Sequence, residues 1–268
     1  SAASDVYKRQ IISFSIPVIL TTISEIGIYS MTTTIMPLFI TISEVGYFGI
    51  AEPIARLPLM ISNSLATTIL PVTSEMFASK NTNILKKYMF NALRYNLIIM
   101  VPICLFIMIF SKEVLLVMFF TKPFYSKGAN VLTILTLGMF FYSIFAITSS
   151  MIQGAGKPKS SMYLLIGGFI QILLLSFIFI PYFGVNGGAI STTLTTATMT
   201  LISLIYLNKH ISLKFNIAHY LKILFAGIII AIFLLILPKN LIGFYIGLIF
   251  LFPLYLILSL IHISEPTR

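Results

Sequence analysis

The sequence predicts an all-α, polytopic transmembrane helix bundle of about eight spans. Three observations predict it. Hydrophobic residues make up 58% of the 268-residue chain and charged residues only 9%, where a soluble domain carries about 25% charged residues. The mean hydropathy is +1.04. Apolar runs near the roughly 20 residues needed to cross a hydrocarbon core recur along the chain, and in lipid such runs must be helices, because their backbone has to satisfy its own hydrogen bonds. This composition excludes an ordinary cytosolic enzyme, a nucleic-acid-binding domain and a disordered tail. The formal charge of +10, from 17 basic and seven acidic residues, therefore reads as basic loops rather than a nucleic-acid surface.

Both ends read as foreign. Residues 1–10, SAASDVYKRQ, and 258–268, LSLIHISEPTR, look like translated sequencing-library adaptor and are expected to be non-native. The DNA GATGTGTATAAGAGACAG encodes DVYKRQ, and CTGTCTCTTATACACATCTCC, which begins with its reverse complement, encodes LSLIHIS. Residues 11–257 are then the biological part, open at both ends.

In chain order the spans are expected at 14–38, 46–70, 92–110, 131–151, 162–181, 186–207, 221–237 and 241–257. The first carries Glu25 and the threonines 32–34. The second carries Glu52, Pro53, Arg56 and Pro58, and the third Pro102 and the single cysteine, Cys104. Pro17, Pro53, Pro58 and Pro102 each remove a backbone donor and invite a bend, although membrane helices tolerate such kinks. Gly167 and Gly168, then Gly184, Gly187, Gly188 and Ala189, offer small surfaces for close helix contact. The hydroxyl-rich stretch 191–198 suits either a water-filled path or helix packing.

Orientation follows from the basic residues between spans, which are enriched on the cytoplasmic side. One side receives nine of them, including Lys86, Lys87, Arg94, Lys157 and Lys159, and the other side four, at Lys112, Lys122, Lys127 and Lys239. Residue 11 is therefore expected in the cytoplasm, in a multi-pass protein of the cell membrane.

Charges inside apolar runs are the candidate functional residues, since each costs at least ~2.5–3.5 kcal/mol to insert. There are three: Glu25, Glu52 and Arg56. Glu52 and Arg56, four apart in the acid-first order, share one helical face. At about 1.5 Å per residue Glu25 lies roughly 16 Å from the cytoplasmic start of its span and Arg56 roughly 21 Å from the cytoplasmic end of the next. Antiparallel neighbours would bring them to similar depth, either as a polar cavity, with Arg56 attracting an anion and an acid taking a proton or cation, or as a buried structural salt bridge. Arg94, with Lys86 and Lys87, stands where a phosphate head group or the membrane surface would meet it.

Catalytic constellations are absent from the sequence. His210 and His219 are nine apart with no acid between them, which implies neither a metal pair nor a catalytic dyad. Gly154-x-Gly156-Lys157 lacks the spacing of a phosphate-binding loop and reads as a turn. One cysteine permits no disulfide and no cysteine-based metal site. Neither enzymatic activity nor any metal or cofactor is expected.

Several segments, taken in order, resemble the multidrug/oligosaccharidyl-lipid/polysaccharide flippase superfamily, in its polysaccharide and lipid-linked oligosaccharide branch. They are SFSIPVIL at 13–20, EVGYFGIAEPIARLP at 44–58, TTILPVTSE at 67–75, MIQGAGKPKSSMYLLIGG at 151–168 and IPYFGVNGGAISTTL at 180–194. The resemblance implies a transporter of two six-helix lobes, often followed by two more helices. This chain would supply the second lobe (residues 11–207) and the additional pair (208–257), with the N-terminal lobe missing. It implies alternating access that carries a polyprenyl-pyrophosphate-linked sugar outward for cell-surface polysaccharide synthesis. Arg56, in the IARLP run, is the residue that would meet the pyrophosphate, with Arg94 as a second cation and Glu25 and Glu52 as ion-coupling or cavity charges. The chain departs from many relatives in having Tyr29-Ser30-Met31 where they carry an acid. The partners implied are the lipid-linked sugar, membrane lipid and the missing lobe, with no nucleic acid. A multidrug and toxin extrusion cation antiporter is the closest alternative, and a membrane-embedded glycosyl- or acyltransferase is the alternative of another class.

Overall fold

The computed structural model describes residues 16, 19–21, 23–28, 30–79, 82–211 and 217–263. Residues 1–10 and 264–268, expected to be foreign, lie outside these, as do Pro17 and Tyr29. Every regular element among the described residues is helical. The described residues between 16 and 35 form α1, followed by a 3-10 turn at Met36–Leu38 and by α2 at Ile42–Arg56. Thr41 starts α2 through a capping box, in which its N–H and hydroxyl donate to Glu44 Oε2 at 3.1 and 2.8 Å. Such a box satisfies donors that the first turn leaves free.

The expected second span is interrupted. After α2 the chain restarts as α3, Leu59–Ala78. Across the break Leu57, Met60 and Ile61 donate to the carbonyls of Ile54, Leu57 and Pro58, each at 3.2 Å and each three residues back. Pro58 has no N–H to offer the Ile54 carbonyl, so Leu57 supplies it and the helix tightens for a turn. Pro53 and Pro102 lie within α2 and α4 instead of ending them.

The rest runs α4 Thr82–Ile109, α5 Ser111–Met118, a 3-10 turn Pro123–Gly128, α6 Ala129–Gly154, α7 Pro158–Phe183, α8 Val185–Ile211, α9 Ile217–Ile236 and α10 Leu241–Ile263. Helix α4 begins ten residues before the expected span, because helical geometry continues past its apolar part. Helix α10 continues through 258–263, the apolar part of the stretch read as adaptor. Four segments are long and apolar enough to cross a membrane, Ile84–Ile109, Pro123–Gly154, Pro158–Phe183 and Val185–His210, with shorter apolar stretches at Ile19–Ile28, Phe225–Ile236 and Leu241–Leu251. The protein is a multi-pass membrane protein.

Helix α6 is the axis of the bundle, packing on α2, α3, α4, α5, α7 and α8, while α9 and α10 pack on each other and on α4. The α6–α8 contact shows how the hydroxyl-rich stretch is used. Thr193 and Thr200, seven apart, donate to the α6 carbonyls of Ile134 and Phe141, also seven apart, at 2.8 and 2.7 Å. Ser191, Thr192 and Thr196 donate to carbonyls of their own helix. Packing takes these groups, while the Thr195 hydroxyl in the same stretch is buried with no hydrogen-bond partner among the described residues. Gly138 allows the approach, since a Cβ there would lie 3.1 Å from the Cα of Thr193.

Candidate functional site

A polar cavity of about 370 Å³ opens among α1, α3 and α6. Helical spacing builds each wall. Thr21 and Glu25 stand one turn apart on α1, as do Asn63 and Thr67 on α3. Tyr142, Ser149, Ser150 and Gln153 recur at intervals of seven, one and three along one face of α6. Leu165 of α7 contributes an apolar wall. The position of α1 depends on close packing at its far end. A Cβ on Gly27 would fall 2.5 Å from the Phe169 ring, and one on Gly188 would meet Thr32 and Met36.

Glu25 is the charged side chain in the lining. It is half-buried, and the buried Tyr142 donates its hydroxyl to Glu25 Oε1 at 2.7 Å. Gln153 donates to the hydroxyls of Ser149 and Ser161 at 3.3 and 3.2 Å. Thr67 donates to the Ser64 carbonyl at 2.9 Å. The cavity thus presents one carboxylate among amides and hydroxyls, an arrangement that suits a polyhydroxyl group or a cation.

Of the expected site residues, the structure pairs Glu52 with Arg56, N···O 3.7 Å, in the last turn of α2 just before the break. Glu52 is the more enclosed, its side chain 15% exposed against 44% for Arg56. Glu25 lies level with Asn63 and Thr67 instead of Arg56. Arg56 ends α2, seven residues before Asn63 and on the other side of the Pro58 break. The offset has a simple origin: the span ends at Ala78 and not at 70, and eight extra residues add about 12 Å. Arg94 is half-buried on α4, away from the cavity lining.

Charge reasoning found Glu25 but missed Tyr142, Asn63 and Gln153. The two amides had a signal, since an amide in an apolar run also needs a partner. The candidate acids do not converge: Glu25 is on α1, Glu44 and Glu52 on α2, Glu75 on α3 and Glu113 on α5. Among the described residues no group of three or more His, Cys, Asp or Glu could hold a metal ion.

The sequence profile described as lipid II flippase MurJ matches residues 5–258. A probable low-salt glycan biosynthesis flippase, Agl15 of Haloferax volcanii, is 24% identical over 256 residues, covering 92% of this chain and 53% of that protein. Among solved structures, a lipid II flippase MurJ in an inward closed conformation superposes with a TM-score of 0.77 at 19% identity, covering 94% of this chain and 53% of the other. A crystal structure of a MATE mutant superposes with a TM-score of 0.64 at 21% identity, covering 74% and 44%. The chain spans about half the length of these relatives.

Proposed function

Because the chain belongs to the lipid II flippase MurJ family, we propose that it forms one wall of a flippase that moves a polyprenyl-pyrophosphate-linked oligosaccharide across the cytoplasmic membrane. In this reading residues 11–207 are a six-helix lobe and 208–257 an additional helix pair, residues 1–10 and 258–268 are adaptor, and the residue 11 end is cytoplasmic. A second lobe completes the cavity, which opens alternately to the two faces. The observation that carries the proposal is the polar cavity itself, set in an apolar bundle, with Arg56 at the end of α2, seven residues before the Asn63 of its lining. Amides and hydroxyls around Glu25 suit the sugar, and the half-exposed Arg56 guanidinium suits the pyrophosphate. Glu52 holds Arg56 in place until the anion arrives. Arg94, on another helix, is a second cation on the approach.

The test is flipping of a lipid-linked sugar by liposomes holding the protein with its second lobe. Arg56→Ala is expected to weaken substrate affinity by about tenfold or more, the ~1.5–3 kcal/mol of a charged hydrogen bond, and Arg56→Lys by less. Full affinity in Arg56→Ala would refute the role. Cation antiport is the second reading, favoured by Glu25 as the charge in the cavity lining. Transport of a cationic dye that ends with Glu25→Gln, with no sugar flipping, would establish it.

A further inference from the structure

A groove of about 620 Å³ lies between α3 and α4 at the end bearing Lys86 and Lys87. Its α3 wall is mainly apolar, with Leu65, Ile69 and Val72 beside Thr68, whose hydroxyl donates to the Ser64 carbonyl at 2.7 Å, and α4 supplies Ile84, Lys87, Tyr88, Asn91 and Tyr95. It is separate from the polar cavity. Asn63 and Thr67 face the cavity whereas Leu65, Ile69 and Val72 face the groove, and at about 100° per residue the two sets lie nearly half a turn apart on α3. Whatever occupies the groove therefore sits on the opposite side of α3 from the transport cavity.

The α4 face is graded like an amphiphile. Past Ile84 at the mouth, Lys87 is the shallowest polar group, with Asn91 about 6 Å deeper and Tyr95 about 12 Å deeper. Tyr88 and Tyr95 are 48% and 54% exposed, and Tyr88, next to Lys87, fits the interfacial preference of tyrosine. Lys87 is exposed and forms no ion pair with any described residue. The acid on the facing helix, Glu75, lies one turn beyond Val72 and outside the lining.

We propose that this groove holds one anionic glycerophospholipid of the surrounding bilayer. Its phosphodiester meets the Lys87 ammonium and the Tyr88 hydroxyl, its ester carbonyls meet Asn91, and an acyl chain lies along Ile69 and Leu65. A bilayer lipid fits better than the transported pyrophosphate, because the site turns away from the cavity and offers a single lysine. Since α3 and α4 both line it, the bound lipid ties the segment below the Pro58 break to its neighbour. The inference stands whether or not the transport reading does.

The test is native mass spectrometry of the delipidated 268-residue chain titrated with phosphatidylglycerol or phosphatidylcholine of identical acyl chains. The first phosphatidylglycerol is expected to bind about fivefold tighter, the factor one lysine contributes at an anionic surface. Lys87→Glu should abolish that preference, and Lys159→Glu, exposed on α7 outside the groove, should keep it. Lys87→Gln repeats the measurement with no charge reversal, and circular dichroism confirms that each variant is folded. A polyprenyl pyrophosphate should fail to displace the bound lipid. Equal binding of the two lipids, equal loss of preference in Lys159→Glu, or displacement by the polyprenyl pyrophosphate would overturn the proposal.

Discussion

Asn96 joins three helices at one fully buried point. Its Oδ1 accepts from Ser62 of α3 at 2.6 Å and its Nδ2 donates to Ser143 of α6 at 3.1 Å, with Asn96, Ser62 and Ser143 all 0% exposed. The junction lies one turn below the Pro58 break, so it holds α3 against α4 and α6 where α3 has just lost regular bonding to α2. Asn96→Ala removes both bonds. Interhelical hydrogen bonds in membranes average about 0.6 kcal/mol and reach about 1.7, so two account for roughly 1–3 kcal/mol, before any cost of the space left behind. The effects on the partners differ. Ser143 keeps the Phe140 carbonyl it already donates to at 2.7 Å, whereas Ser62 has no second hydrogen-bond partner among the described residues and must turn back to its own helix. The coupling should therefore be concentrated in the Asn96–Ser62 pair. A double-mutant cycle of Asn96→Ala with Ser62→Ala, with unfolding followed in mixed micelles, should give a coupling of about 0.6–1.7 kcal/mol. A coupling within 0.2 kcal/mol of zero, or equal coupling of Asn96 to Ser62 and Ser143, would refute this account.

Three further outcomes are expected. Tyr142→Phe leaves Glu25 without its 2.7 Å donor, and loss of this charge-assisted bond should destabilise the fold by about 1.5–3 kcal/mol; an unfolding midpoint equal to that of the native chain would show that Glu25 finds another partner at no cost. Gly154→Val should pry α6 from α3, because a Cβ there meets the Leu70 carbonyl oxygen and Thr73 Cβ at 2.7 Å; the expected penalty is about 1–3 kcal/mol, while Gly49→Val, with nothing within 4 Å, is the control that should not share it. Pro58→Ala returns an N–H to the Ile54 carbonyl and should straighten α2 onto α3. Spin labels at Gly49→Cys and Thr68→Cys would then report a backbone separation lengthening toward about 28 Å, the straight-helix value for 19 residues, and an unchanged separation would show that the break does not depend on proline.

What was legible followed from costs that a single residue carries by itself. Apolar runs locate helices because lipid offers the backbone no other partner, and among the described residues the expected spans fall on helices in order, the second divided between α2 and α3. The break at Pro58 was not separable from its neighbours by residue type. Pro53, Pro71, Pro102, Pro181 and Pro253 all lie inside helices, and only the surrounding hydrogen bonds decide which proline ends one. The site was legible in part for the same reason. A charge in an apolar run announces a buried partner, so Glu25 and the Glu52–Arg56 pair stood out. The partner itself does not announce its position: Tyr142 is 117 residues from Glu25, and a tyrosine in an apolar run costs too little to mark a site. Amides lie between these extremes. Asn63, Asn96 and Gln153 interrupt apolar helices as Glu25 does, yet they divide between the cavity, where Asn63 and Gln153 lie, and the packed interior, where Asn96 is fully used. The division depends on which face of its helix each amide occupies relative to α6. That face is set by the packing of α1, α3 and α4 around one axis, so the cavity exists only once the helices are assembled.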